Sequence, residues 1–167
     1  MEQGKTGKIA ALALAAGVTA AGFFGDCGMG VGAGCGLAPR LLHPFFHVGV
    51  AHAALNAWCL LSVAFVYGVT PRLIFLAWLS SALFPASALG ETAPVVGMSG
   101  MVFFLFASIF FRTARKKVYA LWMAAYLAAG FVFPSVSGRL HLWCFALGFV
   151  YAVMNMPIRI KRKRVWG

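Results

Sequence analysis

Six stretches of this chain run for at least 17 residues without Asp, Glu, Lys or Arg: 9–25, 41–71, 73–90, 92–111, 118–138 and 140–158. A helix that crosses a bilayer takes about 20 residues, with roughly 17 as the lower limit. A water-soluble domain cannot be built from such stretches, because its surface needs charge. Here 14 basic and 3 acidic side chains would have to cover everything. Hydrophobic residues reach 62% and charged residues only 10%, against roughly 45–50% and about 25% in ordinary domains. Intrinsic disorder is excluded as well, with 15% aromatic residues and a mean hydropathy of +0.89.

The expectation is an all-α polytopic membrane protein, one domain over 1–167, with six transmembrane helices near 9–25, 46–67, 73–90, 95–111, 118–134 and 140–157. The window 41–71 is too long for one helix, and Leu42-His43-Pro44 precedes its apolar run from about Phe46 to Tyr67. Orientation follows from the basic residues. With a cytoplasmic N-terminus, Lys5, Lys8, Arg72, Arg112, Arg115, Lys116, Lys117 and the five basic residues of 159–164 lie inside. Arg40 and Arg139 alone lie outside, with Asp26 and Glu91. That distribution obeys the positive-inside rule with both termini cytoplasmic.

Lys5 and Lys8 before Ile9–Gly22 also resemble the start of a secretory signal. A retained helix is preferred, because Ala13, Gly17, Ala20 and Ala21 offer a small-residue face for close packing. Gly25–Leu37 reads as a Gly-rich external loop. An oxidising compartment there favours a Cys27–Cys35 disulfide, with two free thiols as the alternative. Cys59 and Cys144 fall in spans and read as small packing residues.

Polar side chains inside apolar spans are costly and mark function. His52 and Asn56, four apart, share a face of the second span. His47 lies one turn closer to the outside and reads, with His43, as structural and near the surface. The fourth span opens with Gly97-Met98-Ser99-Gly100, and the sixth with Arg139-Leu140-His141. All three spans run from outside to inside, so these groups fall at similar depth.

Nucleophilic catalysis fits the group. A serine hydroxyl needs a base to take its proton, and neutral imidazole can accept it. Ser99 and His141 would form a dyad, with no Asp or Glu in any span to orient the histidine. The Asn56 amide, a His52 ring N–H and the Ser99 backbone N–H are available to an oxyanion. Taken alone, a serine between glycines is more often a packing contact. Three histidines could instead hold haem or a metal, but Asn56 and Ser99 fit acyl transfer better, so neither cofactor nor metal is expected.

The pattern His47-x4-His52-x3-Asn56, then Gly97-Met98-Ser99-Gly100, then His141 with Gly148 seven later, resembles the rhomboid intramembrane proteases. The resemblance covers nearly the whole chain. It implies a six-helix core, Ser99 as nucleophile, His141 as base, and an oxyanion hole of His52, Asn56 and the Ser99 N–H. It also implies that Phe103 stacks on the dyad histidine, and that Arg40-Leu41-Leu42 with Pro44 corresponds to the family's Arg-containing stretch before the second helix. Cys144 stands where the family usually has glycine. The activity implied is serine endopeptidase cleavage in or near transmembrane segments of other proteins. Substrate helices should be weakened by poor helix formers near the outer face. The bacterial inner membrane is the expected location.

The alternative function is a non-proteolytic, rhomboid-like protein that binds membrane clients. A transporter would need an ionisable pathway that the spans lack. The tail Arg159–Arg164 reads as an anchor to anionic lipids rather than a nucleic-acid site.

Overall fold

The computed structural model describes residues 2–133 and 136–156. Within them the chain forms seven α-helices and no β-strand: α1 Glu2–Ala21, α2 Leu37–Leu42, α3 Val50–Tyr67, α4 Pro71–Ala82, α5 Ser99–Ser108, α6 Lys116–Val132 and α7 Gly138–Met154. The basic tail and the expected end of the last span at residue 157 lie outside the described residues.

Local chemistry sets several of these boundaries. Gly68 ends α3 in a left-handed conformation, φ +64°, which costs glycine nothing. Thr70 caps α4 by accepting from the Leu73 N–H at 3.3 Å, and Pro71 fills the first helical position, where no donor is needed.

Among the described residues two helices are long and apolar enough to cross a membrane by themselves, Gly4–Phe24 and Val50–Tyr67. Of the others, α6 and α7 have 17 residues each, about as long as expected, and two are shorter. The span placed at 73–90 is a helix of 12 residues that stops at Ala82, and the one placed at 95–111 is a helix of 10 residues starting at Ser99. Residues 83–98 between them are irregular. Pro85, Gly90, Pro94 and Gly97 disfavour a helix there, and a charge-free window does not register them. Phe84, Ala86 and Met98 of this segment are fully buried nonetheless. The short helix α2, inside what reads as loop and helix entrance, was not expected.

The small-residue face of α1 is also different. Ala11, Ala15, Val18 and Gly22 are buried, whereas Ala13, Gly17 and Ala20 are exposed. An Ala-rich helix offers small residues on more than one face. The buried one is selected by contact with α3, where a Cβ on Gly22 would lie 2.9 Å from the Ala53 Cβ. Cys27 and Cys35 are free thiols rather than a disulfide. Their loop is held by backbone bonds instead: Val31 and Val95 exchange N–H···O bonds of 2.8 and 2.9 Å.

The core runs through α5, which is buried on nearly every side between α4 and α7. Gly148 lets α7 approach it, since a Cβ there would overlap the Phe104 carbonyl of α5. At Gly100 a Cβ would meet Ser81 Oγ at 2.8 Å and Cys144 Sγ at 3.1 Å. Gly97, Gly100 and Gly148 thus clear space around the helix that carries Ser99.

Candidate active site

His52 is the third residue of α3, Ser99 the first of α5 and His141 the fourth of α7. The N-terminal turns of three helices therefore converge, and they do so on one cavity of about 340 Å³. His52, Asn56, Ser99, Phe103 and His141 all line it, and the mostly apolar remainder comes from α3, α5, α6 and the segments before α5 and α7. Cys59, one turn below Asn56, lines it too. Cys144 is fully buried in the packing beneath Gly100.

The backbone before Ser99 is fixed by two histidines. Gly97 N–H donates to the His43 carbonyl at 2.9 Å, and Met98 N–H donates to His47 Nε2 at 3.2 Å. As acceptor at Nε2, His47 carries its proton on Nδ1. Gly97 has φ +121°, where an L side chain is strained, and a Cβ would also lie 2.9 Å from His52 Cε1. With the two preceding amides occupied, Ser99 N–H opens α5 without an intrahelical acceptor. It points with the positive end of the helix dipole. An N–H so placed is free to donate to a ligand.

His141 is buried, and its ring stacks on Phe103 with centroids 4.2 Å apart and planes 16° from parallel. Its Nδ1 faces α6, where a Cβ on Gly130 would lie 3.2 Å away. Ser99 is half-buried, and no hydrogen bond joins it to His141 in this arrangement. One amide hydrogen of Asn56 is used on the His52 carbonyl at 3.0 Å, which leaves the second for a ligand. The His52 ring meets that of His47 edge-on, 5.1 Å between centroids.

His43 and His47, expected to be structural, are both completely buried in the protein. His43 Nδ1 donates to the Arg40 carbonyl at 3.0 Å, so Nε2 accepts from Ser81 Oγ at 3.0 Å. Arg40 in turn donates to the Phe84 carbonyl at 2.9 Å. These bonds tie the segment before α3 to α4. Burial pushes His43 down to about pKa 4. Two further residues escaped the sequence reading, Glu91 and Ser137. Glu91 is buried and accepts from Ser137 Oγ at 2.5 Å, and Ser137 lines the cavity. A polar residue next to the start of the last apolar window was the signal for Ser137.

Among the described residues no group of three His, Cys, Asp or Glu side chains is arranged to hold a metal ion. Comparison with family models, curated proteins and solved structures finds no match for the chain.

Proposed function

We propose that this chain is a rhomboid-like intramembrane serine endopeptidase that cleaves peptide bonds in or near transmembrane segments of other membrane proteins. The observation that carries this reading is the convergence of His52, Asn56, Ser99 and His141 on one cavity, with Phe103 stacked on the His141 ring. Ser99 Oγ attacks the scissile carbonyl while His141 Nε2 takes its proton. The Ser99 N–H, the free Asn56 amide hydrogen and a His52 ring N–H stabilise the oxyanion. His141 then returns the proton to the leaving amine, and water repeats the sequence on the acyl-enzyme. His47, Gly97, Gly100 and Gly148 shape the site without touching the substrate.

The same reading takes the chain as a six-span protein of the bacterial inner membrane, both termini cytoplasmic, its basic tail on anionic headgroups. The short helices are compatible with it. The 10 residues of α5 span about 15 Å at 1.5 Å per residue, half of a hydrocarbon core of about 30 Å. Irregular backbone is tolerated at membrane depth where it is buried in protein, as Phe84, Ala86 and Met98 are here.

The test is incubation of the purified protein with a panel of membrane-helix substrates, wild type beside Ser99→Ala. Cleavage by the wild type alone is expected. Cleavage by both variants removes Ser99 as nucleophile. Binding without cleavage by either variant favours a client-binding protein instead.

A further inference from the structure

Glu91 sits in the irregular connection before α5, and it is only 8% exposed. Burying a carboxylate is costly unless strong hydrogen bonds compensate. Its side chain accepts from Ser137 Oγ at 2.5 Å. Ser137 is the residue that caps α7. Its hydroxyl oxygen accepts from the Leu140 N–H, and its carbonyl from the His141 N–H, both at 3.1 Å. A carboxylate oxygen cannot donate, so the Ser137 hydrogen is committed to Glu91 and a lone pair is left aimed at the helix. Glu91 is itself fixed, since its N–H donates to the Ala86 carbonyl at 2.8 Å and its carbonyl accepts from the Ala33 N–H at 2.9 Å. One residue away, Arg139 Nη1 donates to the Gly90 carbonyl at 2.8 Å.

We infer that Glu91 is a positioning residue for His141: through Ser137 it fixes the first turn of α7, and so the ring on Phe103. The inference rests on the Ser99–His141 reading for its kinetic consequence but not for its structural one. Glu91 touches no substrate. Its carboxylate orients the cap hydroxyl, adds a negative charge at the helix N-terminus, and ties the α4–α5 connection that leads to Ser99 to the helix that carries the base. The two halves of the dyad thereby share one anchor.

The test uses the full chain in detergent with Glu91→Ala, Glu91→Gln, Ser137→Ala and the Glu91→Ala/Ser137→Ala double variant. Two measurements are made: steady-state kinetics, giving kcat and KM on a membrane-helix substrate, and the ring proton resonances of His141, which the Phe103 ring current displaces. Glu91→Ala should move those resonances toward unstacked values and lower kcat on the order of 10-fold at unchanged KM, the cost of a modest misplacement. Glu91→Gln, which keeps an acceptor oxygen, should recover most of both. The double variant should be no worse than Ser137→Ala, because the two side chains act as one unit. Unmoved His141 resonances in folded Glu91→Ala overturn the inference, as do losses that multiply in the double variant. If Glu91→Ala does not fold, Glu91→Gln and Ser137→Ala decide it: the inference requires shifted resonances in Ser137→Ala and near-native ones in Glu91→Gln. A wild type that cleaves nothing removes the protease reading alone, and the resonances still decide the role of Glu91.

Discussion

Replacing Gly148 by Ala should slow turnover sharply from a position seven residues away from His141. An added Cβ would lie 2.9 Å from the Phe104 carbonyl carbon, whereas relaxed carbon contacts fall at about 3.5–4.0 Å. The obstacle is backbone of a buried helix, so no side chain can swing aside. The carbonyl oxygen lies nearer still, so α5 and α7 must separate by about 1 Å or more at that level. Seven residues of helix place the dyad about 10 Å along the axis, close enough for the separation to reach it. Such overpacking costs roughly 1–3 kcal/mol of stability, which a domain stable by about 5 kcal/mol or more survives. A misplacement near 1 Å between base and nucleophile costs on the order of 10²-fold in rate. The assay is single-turnover cleavage of a membrane-helix substrate at matched folded protein, with a thermal melt alongside. Gly148→Ala should lower kcat about 10²-fold with KM little changed. Wild-type turnover in a folded Gly148→Ala protein would refute the idea that the α5–α7 approach sets the dyad geometry.

Other outcomes follow from single contacts. Phe103→Leu keeps an apolar side chain but removes the stack at 4.2 Å, worth about 0.5–1.5 kcal/mol beyond burial; kcat should fall several-fold, and an unchanged kcat would mean that the stack does not hold the base. Asn56→Ala and His52→Ala should each reduce turnover by up to about 10²–10³-fold while leaving residual cleavage, and full activity in folded variants would remove them from the oxyanion hole. Gly97→Ala must strain a backbone at φ +121° and crowd the His52 ring, so turnover should fall more than thermal stability; the reverse ranking contradicts a role in setting the site. His43 is held near pKa 4 by burial, while the unfolded chain takes its proton near pH 6.5. Its contribution is therefore complete above pH 6.5 and is lost as pH falls toward 4, by about 3 kcal/mol in all. Melts in detergent from pH 7 to pH 4 should be steeper for wild type than for His43→Asn, and equal slopes would contradict this linkage.

The candidate site was legible because polar side chains are scarce in the apolar windows. His52 and Asn56 at a helical spacing, Ser99 between glycines and His141 at a window's start left few other combinations, and these residues line one cavity. Depth was harder to read. Hydropathy does not distinguish a spanning helix from a buried irregular segment, so residues 83–90 and 95–98 passed as helix although Pro85, Gly90 and Gly97 argue against one. His43 read as an interfacial residue and Glu91 as part of an external loop, and neither reading carries their burial in the protein. Only the tertiary fold supplies the Ser81 and Ser137 hydroxyls that make their burial tolerable. The Cys27–Cys35 loop followed the same logic in reverse. A covalent closure was the simplest device in sequence, and pairing of Val31 with Val95 holds the loop without it.

The central claim is that Ser99 is a nucleophile activated by His141. Its most direct measurement is reaction of the purified protein with a fluorophosphonate, followed by mass spectrometry to locate the adduct. The account predicts stoichiometric modification of Ser99, lost in Ser99→Ala and strongly slowed in His141→Ala. An adduct on another serine, no adduct on folded protein, or equal labelling in His141→Ala would contradict it.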